Sequence, residues 1–550
     1  MKTKFCIGKE LVMITVAQAM VKCLEEERTS VVFGYPGAAI GAFYDALSYS
    51  KIKHILVRHE QMAAHAASGY ARMSERPAVC IATSGPGALN LITGIATAYM
   101  DSIPLVVITG QVSSDILGSD GFQEADITGA VEPFIKYSYI VKDPDSIGRI
   151  FKEAFYLAAS GRPGPVLIDV PMDIQTQKIH FSYPDSVNIR GYRPTVKGHP
   201  GQIKRVLTAM KNAKRPVICA GGGVFTAKAQ EELNELIEKS NIPLVTTLMG
   251  IGIVNCDSPL NFGMLGMHGV AAANHAVQKA DLLILIGARA SDRSVQAPRM
   301  VEKHKKVVHI DIDPAEIGKN IAVDIPLVGD IKSILQEMNQ KVVRNECGEW
   351  IQELAGIKER KKNHGMIKEG YINPKIFMNM LSVETDPNAL VVADVGQNQI
   401  WTANHCGIHN GRFMTSGGMG TMGYAIPAAE GAKLADPERQ VLSVCGDGSF
   451  QMQMMELGTI SYYHINVKMV VMNNNYLGMV KELQDRMYAG NETAVHLGDT
   501  INICNVAKAY GIPSRRLTDM SECKEAIKEM MNHDGPYLLE CMVDPNESTL

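Results

Sequence analysis

The sequence predicts an α/β protein made of three doubly wound parallel-sheet domains, and three observations carry that reading. Its 550 residues exceed what one hydrophobic core supports. Short apolar runs alternate with helical patterns in three clusters, and the runs end in Gly- or Asp-rich loops. The runs are also nearly continuous in hydrophobicity, as in strands covered on both faces, rather than alternating with polar residues.

Taken in order, the first cluster offers strands at 30–35 (SVVFGY), 78–83 (AVCIAT), 104–109 (PLVVIT) and 165–170 (PVLIDV). The second offers 216–220, 243–248, 282–286 and 307–312; the third offers 389–393, 441–445, 467–472 and 537–543. Polar, Pro- and Gly-containing stretches at 180–200 and 339–373 read as linkers. The domains are accordingly placed at 1–180, 198–340 and 372–550. No short-period repeat is visible, and the three units read as distant copies of one plan.

A net charge of −4, with 46% hydrophobic and 20% charged residues, is ordinary for a globular chain and gives no reason to expect nucleic acid or an anionic membrane as partner. The basic string at 358–362 (KERKK) reads as a solvated helix face. No run is long and apolar enough to span a bilayer. The N-terminal stretch holds Lys9, Glu10 and Gln18 and continues amphipathically into Glu25-Glu26-Glu27, so it does not read as a signal peptide. Eleven cysteines show no CxxC spacing. Cys80, Cys219, Cys445 and Cys541 fall in strand-like runs where a thiol packs as a small hydrophobe, and a reducing cytoplasm fits that usage.

Chemistry is concentrated in the third cluster. Gly446-Asp447-Gly448-Ser449 follows one buried strand and Asn473-Asn474-Asn475 follows the next. Parallel neighbours would bring both loops to one carboxyl edge, where open α/β sheets bind ligands. A carboxylate, an amide oxygen and a backbone carbonyl are hard donors that suit Mg²⁺, which also accepts phosphate oxygens and water. Glycines at 446 and 448 let the backbone come close to phosphates. Either half alone reads as an ordinary turn; the pair points to a diphosphate-bound metal.

This pairing resembles the thiamin diphosphate motif of the thiamin-dependent decarboxylases and ligases. By position, the resemblance implies Asp447, Asn474 and the main chain of Tyr476 as ligands of Mg²⁺. It also implies an acid in the first domain, bonded to the pyrimidine ring of a cofactor held by the third domain of a partner subunit. Glu60, in Arg58-His59-Glu60-Gln61 between a strand-like run at 52–57 and a small-residue helix at 63–70, matches that acid. Without the remote motif, Glu60 reads as a helix N-terminal acid favourable to the dipole.

Further strings narrow the resemblance: Gly34-Tyr35-Pro36-Gly37, Ser84-Gly85-Pro86-Gly87, Gly121-Phe122-Gln123-Glu124, Gly161-Arg162-Pro163-Gly164-Pro165-Val166 and Gly417-Gly418-Met419-Gly420-Thr421-Met422-Gly423. Each alone is usually a turn, but in this order and number they are similar to the acetolactate (acetohydroxyacid) synthase large subunits over essentially the whole chain. The resemblance implies that Gly396 and Gln397 contact the diphosphate and that Met422 sits beneath the cofactor, bending it into a V. It adds Gly37, Met419, Gly446, Gly448, Ser449, Tyr476, Leu477 and Met479 to the cofactor-binding set. Gln123 and Lys136 are implied at the substrate entrance and Phe122 at the acetyl pocket; Lys136 offers a cation for a pyruvate carboxylate, against the ordinary reading of a surface lysine.

Gly266-Met267-His268-Gly269, Gly287-Ala288-Arg289 and the string at 311–319 resemble the FAD-binding segments of the biosynthetic enzymes. The residues so implied are His268, Gly287, Arg289, Asp311, Asp330 and Arg162, with Asp311 placed to meet a ribose hydroxyl; the implied flavin has no net redox role. Two positions depart from the family pattern. The usual Phe-Asp-Asp-Arg after Gly-Ala-Arg is here Ala290-Ser291-Asp292-Arg293, which weakens the flavin assignment. The Trp that follows Gly-Met-Val after two residues is here Leu483. Because that Trp favours 2-ketobutyrate as second substrate, Leu483 predicts a preference tilted toward pyruvate.

The expected activity is condensation of two pyruvates with loss of CO₂ to give 2-acetolactate, or of pyruvate and 2-ketobutyrate to give its one-carbon-longer homologue, the first common step of branched-chain amino acid biosynthesis. A cytoplasmic homodimer or homotetramer is expected from the family, and a small regulatory subunit is a partner the family allows. A pyruvate oxidase-like flavin and thiamin oxidoreductase, or another thiamin-dependent carboligase, are the alternatives. A non-catalytic relative is disfavoured because Glu60, Asp447 and Asn474 are all present.

Overall fold

The computed structural model describes residues 13–293, 305–360, 366–499 and 501–549. The chain divides into two units, the first formed by residues 13–71 and 76–192, the second by 72–75 and the described residues from 193 onward.

In the first unit a short antiparallel pair, β1 (Met13–Thr15) with β8 (Lys178–His180), stands apart from the main sheet. That sheet holds β2 (Val31–Gly34), β3 (Lys53–Leu56), β4 (Ala78–Ala82), β5 (Leu105–Gln111), β6 (Tyr137–Ile140) and β7 (Pro165–Pro171). All its pairs are parallel, in the order β3-β2-β4-β5-β7-β6.

The second unit carries two more parallel sheets of six strands. One contains β9 (Pro216–Ala220), β10 (Leu244–Thr246), β11 (Asn261–Met264), β12 (Leu282–Ile286), β13 (Lys306–Asp311) and β14 (Ile325–Val328), in the order β11-β10-β9-β12-β13-β14. The other contains β15 (Leu390–Ala393), β16 (Arg412–Met414), β17 (Val441–Gly446), β18 (Val467–Asn473), β19 (Ser514–Leu517) and β20 (Tyr537–Met542), in the order β16-β15-β17-β18-β20-β19.

The first and third sheets share one winding: each begins at a strand next to the edge, steps out to that edge, and returns on the other side. The middle sheet winds two strands outward before returning, which is the order of the dinucleotide folds. The expected common plan therefore holds for the outer two sheets only.

Successive residues of the third sheet face opposite layers. Val391, Leu442, Val444, Val470 and Leu539 pack with the helices Pro374–Glu384 and Cys523–Asn532, while Leu390, Val392, Val441, Met469 and Leu538 pack with the helix Ala425–Ala435. Burial of both faces is why these runs show no alternation in sequence.

The stretch 339–373 is more than a linker, since it contains the helix Gly348–Arg360. Cys347, Trp350 and Leu354, at helical spacing, bury into the middle-sheet core, and Trp350 Nε1 donates to the Pro216 carbonyl at 3.1 Å. Lys358 is exposed, but its ammonium donates to the Asn261 carbonyl at 2.9 Å; residues 361 and 362 of the basic string, like residues 1–12, lie outside the described residues. No described helix is long and apolar enough to cross a membrane, and the ten described cysteines are free thiols.

Candidate active site

β17 and β18 are parallel neighbours with Gly446 opposite Met472, so the loops that follow them open side by side at the carboxyl edge of the third sheet. Asp447 begins the helix Asp447–Gln453 and is buried. Burial pushes its carboxyl up to about 7, against the opposing pull of backbone N–H groups that include those of Gly448, Asn474 and Asn475. Those bonds join the two halves of the motif. A carboxylate whose surroundings resist its ionisation is short of positive charge, and a divalent cation supplies it.

Asn474 is buried as well. Its Oδ1 accepts from Tyr476 N at 3.0 Å and its Nδ2 donates to Gln397 Oε1 at 3.1 Å, which fixes the amide and leaves its oxygen a second lone pair. Tyr476 bridges His496 through Leu477 N to Val495 O and Leu497 N to Asn475 O, so the Tyr476 carbonyl stays outside that pairing. Three hard oxygens, one of them charged, thus sit on two adjacent loops, a donor set that fits Mg²⁺.

Close backbone approaches assemble the surroundings. A Cβ on Gly448 would strike Leu477 Cδ2 at 2.9 Å and come within 3.5 Å of Met422 Cε; one on Gly478 would strike Gln397 Oε1 at 2.0 Å. Gly396, at φ 142°, turns the chain from β15 into the helix Gln397–His405, at the switch point between β15 and β17. Ser449 is buried, its hydroxyl donating to the Gly446 carbonyl at 3.2 Å, whereas Met419 is exposed and Met479 half-buried. Gln397 Nε2 is already engaged, donating to Glu482 Oε2 and to the Glu547 carbonyl, both at 3.0 Å.

Sequence reasoning missed Asp394. Fully buried at the end of β15, it accepts from Val395 N at 2.8 Å, Gly423 N at 3.1 Å, Ala425 N at 2.9 Å and Gln453 Nε2 at 2.8 Å. Burial raises its carboxyl to about 6 despite these donors. It ties the segment carrying Met419 and Met422 to the strand end and to the helix that Asp447 opens. The signal was an acid closing an apolar strand, VVAD.

In the first unit, Glu60 opens the helix Glu60–Ser74 after β3. Its Oε2 accepts from Asn90 Nδ2 at 3.0 Å, a partner the sequence did not announce. A Cβ on Gly87 would come within 3.3 Å of Glu60 Oε1 and 2.8 Å of Thr83 Cγ2, and one on Gly37 would strike Thr83 Cβ at 2.5 Å. Gly37, Thr83, Gly87 and Glu60 therefore crowd together beyond the ends of β2, β3 and β4. Burial, and then the Glu60 charge, push the Tyr44 hydroxyl above its ordinary range; it is hydrogen-bonded to His54 Nε2 at 3.0 Å.

Gln123 holds φ 60°, and its carbonyl lies where a Cβ on Gly85 would meet it at 2.8 Å; Phe122 beside it is 89% exposed. Lys136 has partners within the first unit. Its ammonium donates to the Leu157 carbonyl, to the Ser160 carbonyl at 2.8 Å and to Tyr192 Oη at 3.2 Å, at the carboxyl end of the helix Ile147–Ala159. A cation is favourable at that end of a helix, and this one is used there.

In the middle sheet the switch point lies between β9 and β12. Gly223 N donates to the Gly287 carbonyl at 3.0 Å, and a Cβ on Gly287, at φ 54°, would strike Gly223 Cα at 2.8 Å. His268 Nδ1 is buried without a hydrogen-bond partner, a cost that a ligand would relieve. These features and the winding order fit a dinucleotide. Asp311, at the end of β13, accepts from Asp313 N at 2.9 Å, and Arg289 is half-buried. Asp330 instead caps the helix Ile331–Asn339 by accepting from Ser333 N at 2.9 Å, and Arg162 Nε, in the first unit, donates to Ser102 Oγ at 2.9 Å.

The family models for the thiamine pyrophosphate enzymes match in three places: the N-terminal TPP binding domain over residues 14–130, the central domain over 203–338 and the C-terminal TPP binding domain over 394–541. Fold and site alike thus define a thiamine pyrophosphate enzyme. Probable acetolactate synthase large subunits of Methanocaldococcus jannaschii and Methanococcus aeolicus are 44% and 43% identical to it over 97% of this chain and 92% of theirs. The acetolactate synthase isozyme 3 large subunit of Escherichia coli is 41% identical over 94% of this chain and 92% of its own. The chain belongs to the acetolactate synthase large-subunit family.

Proposed function

We propose that the chain joins two pyruvates with loss of carbon dioxide to give 2-acetolactate, with Asp447, Asn474 and the Tyr476 carbonyl holding the cation and Glu60 supplied to the same cofactor from a partner subunit. The observation that carries this reading is the meeting of the buried Asp447 carboxylate with the Asn474 loop at a switch-point edge. Thiamin diphosphate held there through Mg²⁺ supplies the electron sink that decarboxylation of a 2-oxo acid needs.

The rest falls to the chain. Asp447 and Asn474 hold the cation, and Gly396, Gly446 and Gly448 admit the phosphates close to main chain. Met422 and Leu477 give apolar support, and Asp394 keeps the Met422 segment in place. Glu60, oriented by Asn90, presents its carboxyl to a pyrimidine nitrogen, while Phe122 and Gln123 face the substrate; Lys136 stays at its helix end. The domains run 1–180, 198–340 and 372–550. FAD is placed at the middle sheet by His268, Gly287, Arg289 and Asp311 in a structural role, and the working form is a cytoplasmic homo-oligomer open to a small regulatory subunit.

Product analysis from pyruvate, alone and with 2-ketobutyrate, with and without thiamin diphosphate, Mg²⁺ and FAD, tests this reading. The expected result is 2-acetolactate that requires thiamin diphosphate and Mg²⁺, with pyruvate preferred as acceptor. Acetate or acetyl phosphate with reduction of an acceptor dye, in place of acetolactate, would establish the oxidase alternative.

A further inference from the structure

Away from the thiamine site, two loops of the second unit meet at a cluster of different chemistry. Cys256 and Asp257 lie in the loop leading into β11, an edge strand of the middle sheet, and His409 lies in the loop leading into β16, an edge strand of the third sheet. The loops are registered by main chain, with Cys256 N donating to the Ile408 carbonyl at 3.1 Å, and by side chain, with Asn255 Nδ2 donating to Asn410 Oδ1 at 3.3 Å. Gly407 permits the approach, since a Cβ there would lie 3.2 Å from Cys256 Sγ and 2.9 Å from Ser382 Oγ.

Both Cys256 Sγ, at 3.5 Å, and Asp257 Oδ2, at 3.0 Å, face the same imidazole nitrogen, His409 Nδ1, and all three ligand atoms lie within 4.8 Å of one another. This is not a relay in which thiol and carboxylate take opposite ring nitrogens. Three donor atoms so placed can converge on one ion. Zn²⁺ bonds of about 2.3 Å to sulfur and about 2.0 Å to nitrogen or oxygen put tetrahedral ligand edges at roughly 3.5 Å for S···N and roughly 3.3 Å for N···O. The two edges at His409 Nδ1 lie close to these values, and the third, between Cys256 Sγ and Asp257 Oδ2, is within 4.8 Å.

We propose that Cys256, Asp257 and His409 bind a divalent ion of the zinc type, with a fourth position open to water, stapling the edge of the middle sheet to the edge of the third. A thiolate, an imidazole and a carboxylate favour such an ion over Mg²⁺, which prefers oxygen alone. The hard oxygens at Asp447 make the reverse choice. Asp257 is exposed and His409 half-buried, so the site opens to solvent and loads without unfolding.

The test uses the full chain, freed of adventitious metal by a chelator and then saturated with thiamin diphosphate and Mg²⁺, and titrated with Zn²⁺ or with Co²⁺ as a spectroscopic probe. The expected result is one ion per chain beyond the Mg²⁺, a rise in melting temperature, and a near-ultraviolet thiolate-to-cobalt band. In Cys256→Ser the band and the extra ion should vanish while the carboligation rate stays at the parental value. Asp257→Asn, at an exposed position that does not threaten folding, should weaken Zn²⁺ binding by at least about tenfold. Equal Zn²⁺ stoichiometry and equal melting shift in the parent and in Cys256→Ser, or a Co²⁺ complex without the thiolate band, would overturn the proposal.

Discussion

Asp447 has to be charged to hold a cation, yet it sits where burial opposes charge and pushes its carboxyl up to about 7. The cofactor-free chain carries that opposition as a loss of stability. Asp447→Asn is therefore expected to raise the stability of the cofactor-free chain by on the order of 2 kcal/mol above neutral pH and to abolish the further gain that Mg²⁺ with thiamin diphosphate gives the parent. Paired thermal melts, with and without both ligands, measure the two effects. Glu60 has a different task, which is to meet a ring nitrogen, so Glu60→Gln should cut acetolactate formation by about 10²- to 10⁴-fold with an unchanged circular dichroism spectrum and melting temperature. Parental turnover in that purified variant would remove Glu60 from the mechanism. Asn90→Ala, which frees the carboxylate without deleting it, should cost roughly tenfold or less, as the loss of one orienting hydrogen bond does.

At the scale of elements, Asp394 joins pieces that the chain sequence keeps apart. Its four donors come from its own strand end, from Gly423 and Ala425 at the start of the helix Ala425–Ala435, and from the helix that Asp447 opens. Asp394→Ala leaves buried N–H groups without acceptors, at about 1–3 kcal/mol each, so the urea midpoint should fall by an amount equivalent to more than about 3 kcal/mol. Thiamin diphosphate affinity should fall with it, because Met422 rides on the released segment. A drop in stability with unchanged cofactor affinity would show that the segment holds its place by other means. No sequence pattern reports such a strut, since its partners lie up to 59 residues away; Asn90 and the helix-end role of Lys136 are hidden for the same reason. The strands divide along a similar line. Those legible in the sequence are the inner four of each sheet, buried on both faces and hence continuously apolar. The edges fall outside those clusters, with β3 surfacing only as the strand-like run at 52–57. Composition explains two of them: β6 has no fully buried residue, and β19 reads SRRL with only Leu517 buried, whereas β11, β14 and β16 bury at least half of their residues and escape for another reason. Solvent on one side makes an edge strand polar, and charge there discourages pairing with another chain. The metal loops were legible because each is a short local string whose meeting needs only that two inner strands be parallel neighbours.

For the molecule as a whole, the same burial that tunes the site also sets a pH dependence. Asp169 on β7, to which Thr109 Oγ1 donates at 2.7 Å and Gln111 Nε2 at 2.9 Å, is lifted by burial from 3.8 to about 7. Between those values the folded chain holds this proton more tightly than the unfolded chain. Stability therefore falls as pH rises through the window, the loss is complete above about 7, and acidification toward 3.8 reverses it. Asp169→Asn should flatten part of that decline in urea midpoints measured across the window; an unaltered slope would assign the proton to another group. Assembly can be tested with the two impaired chains together. If Glu60 of one subunit serves the cation loops of its partner, a mixed dimer of Glu60→Gln with Asp447→Asn places both defects in one site and leaves the other site whole. Random exchange in equal amounts makes half the dimers mixed, each with one working site of two, so about a quarter of parental activity should return. If each chain completes its own site, every site in the mixture keeps one defect and activity stays at the level of the separate variants. Assaying acetolactate before and after subunit exchange therefore decides whether the working site spans two subunits.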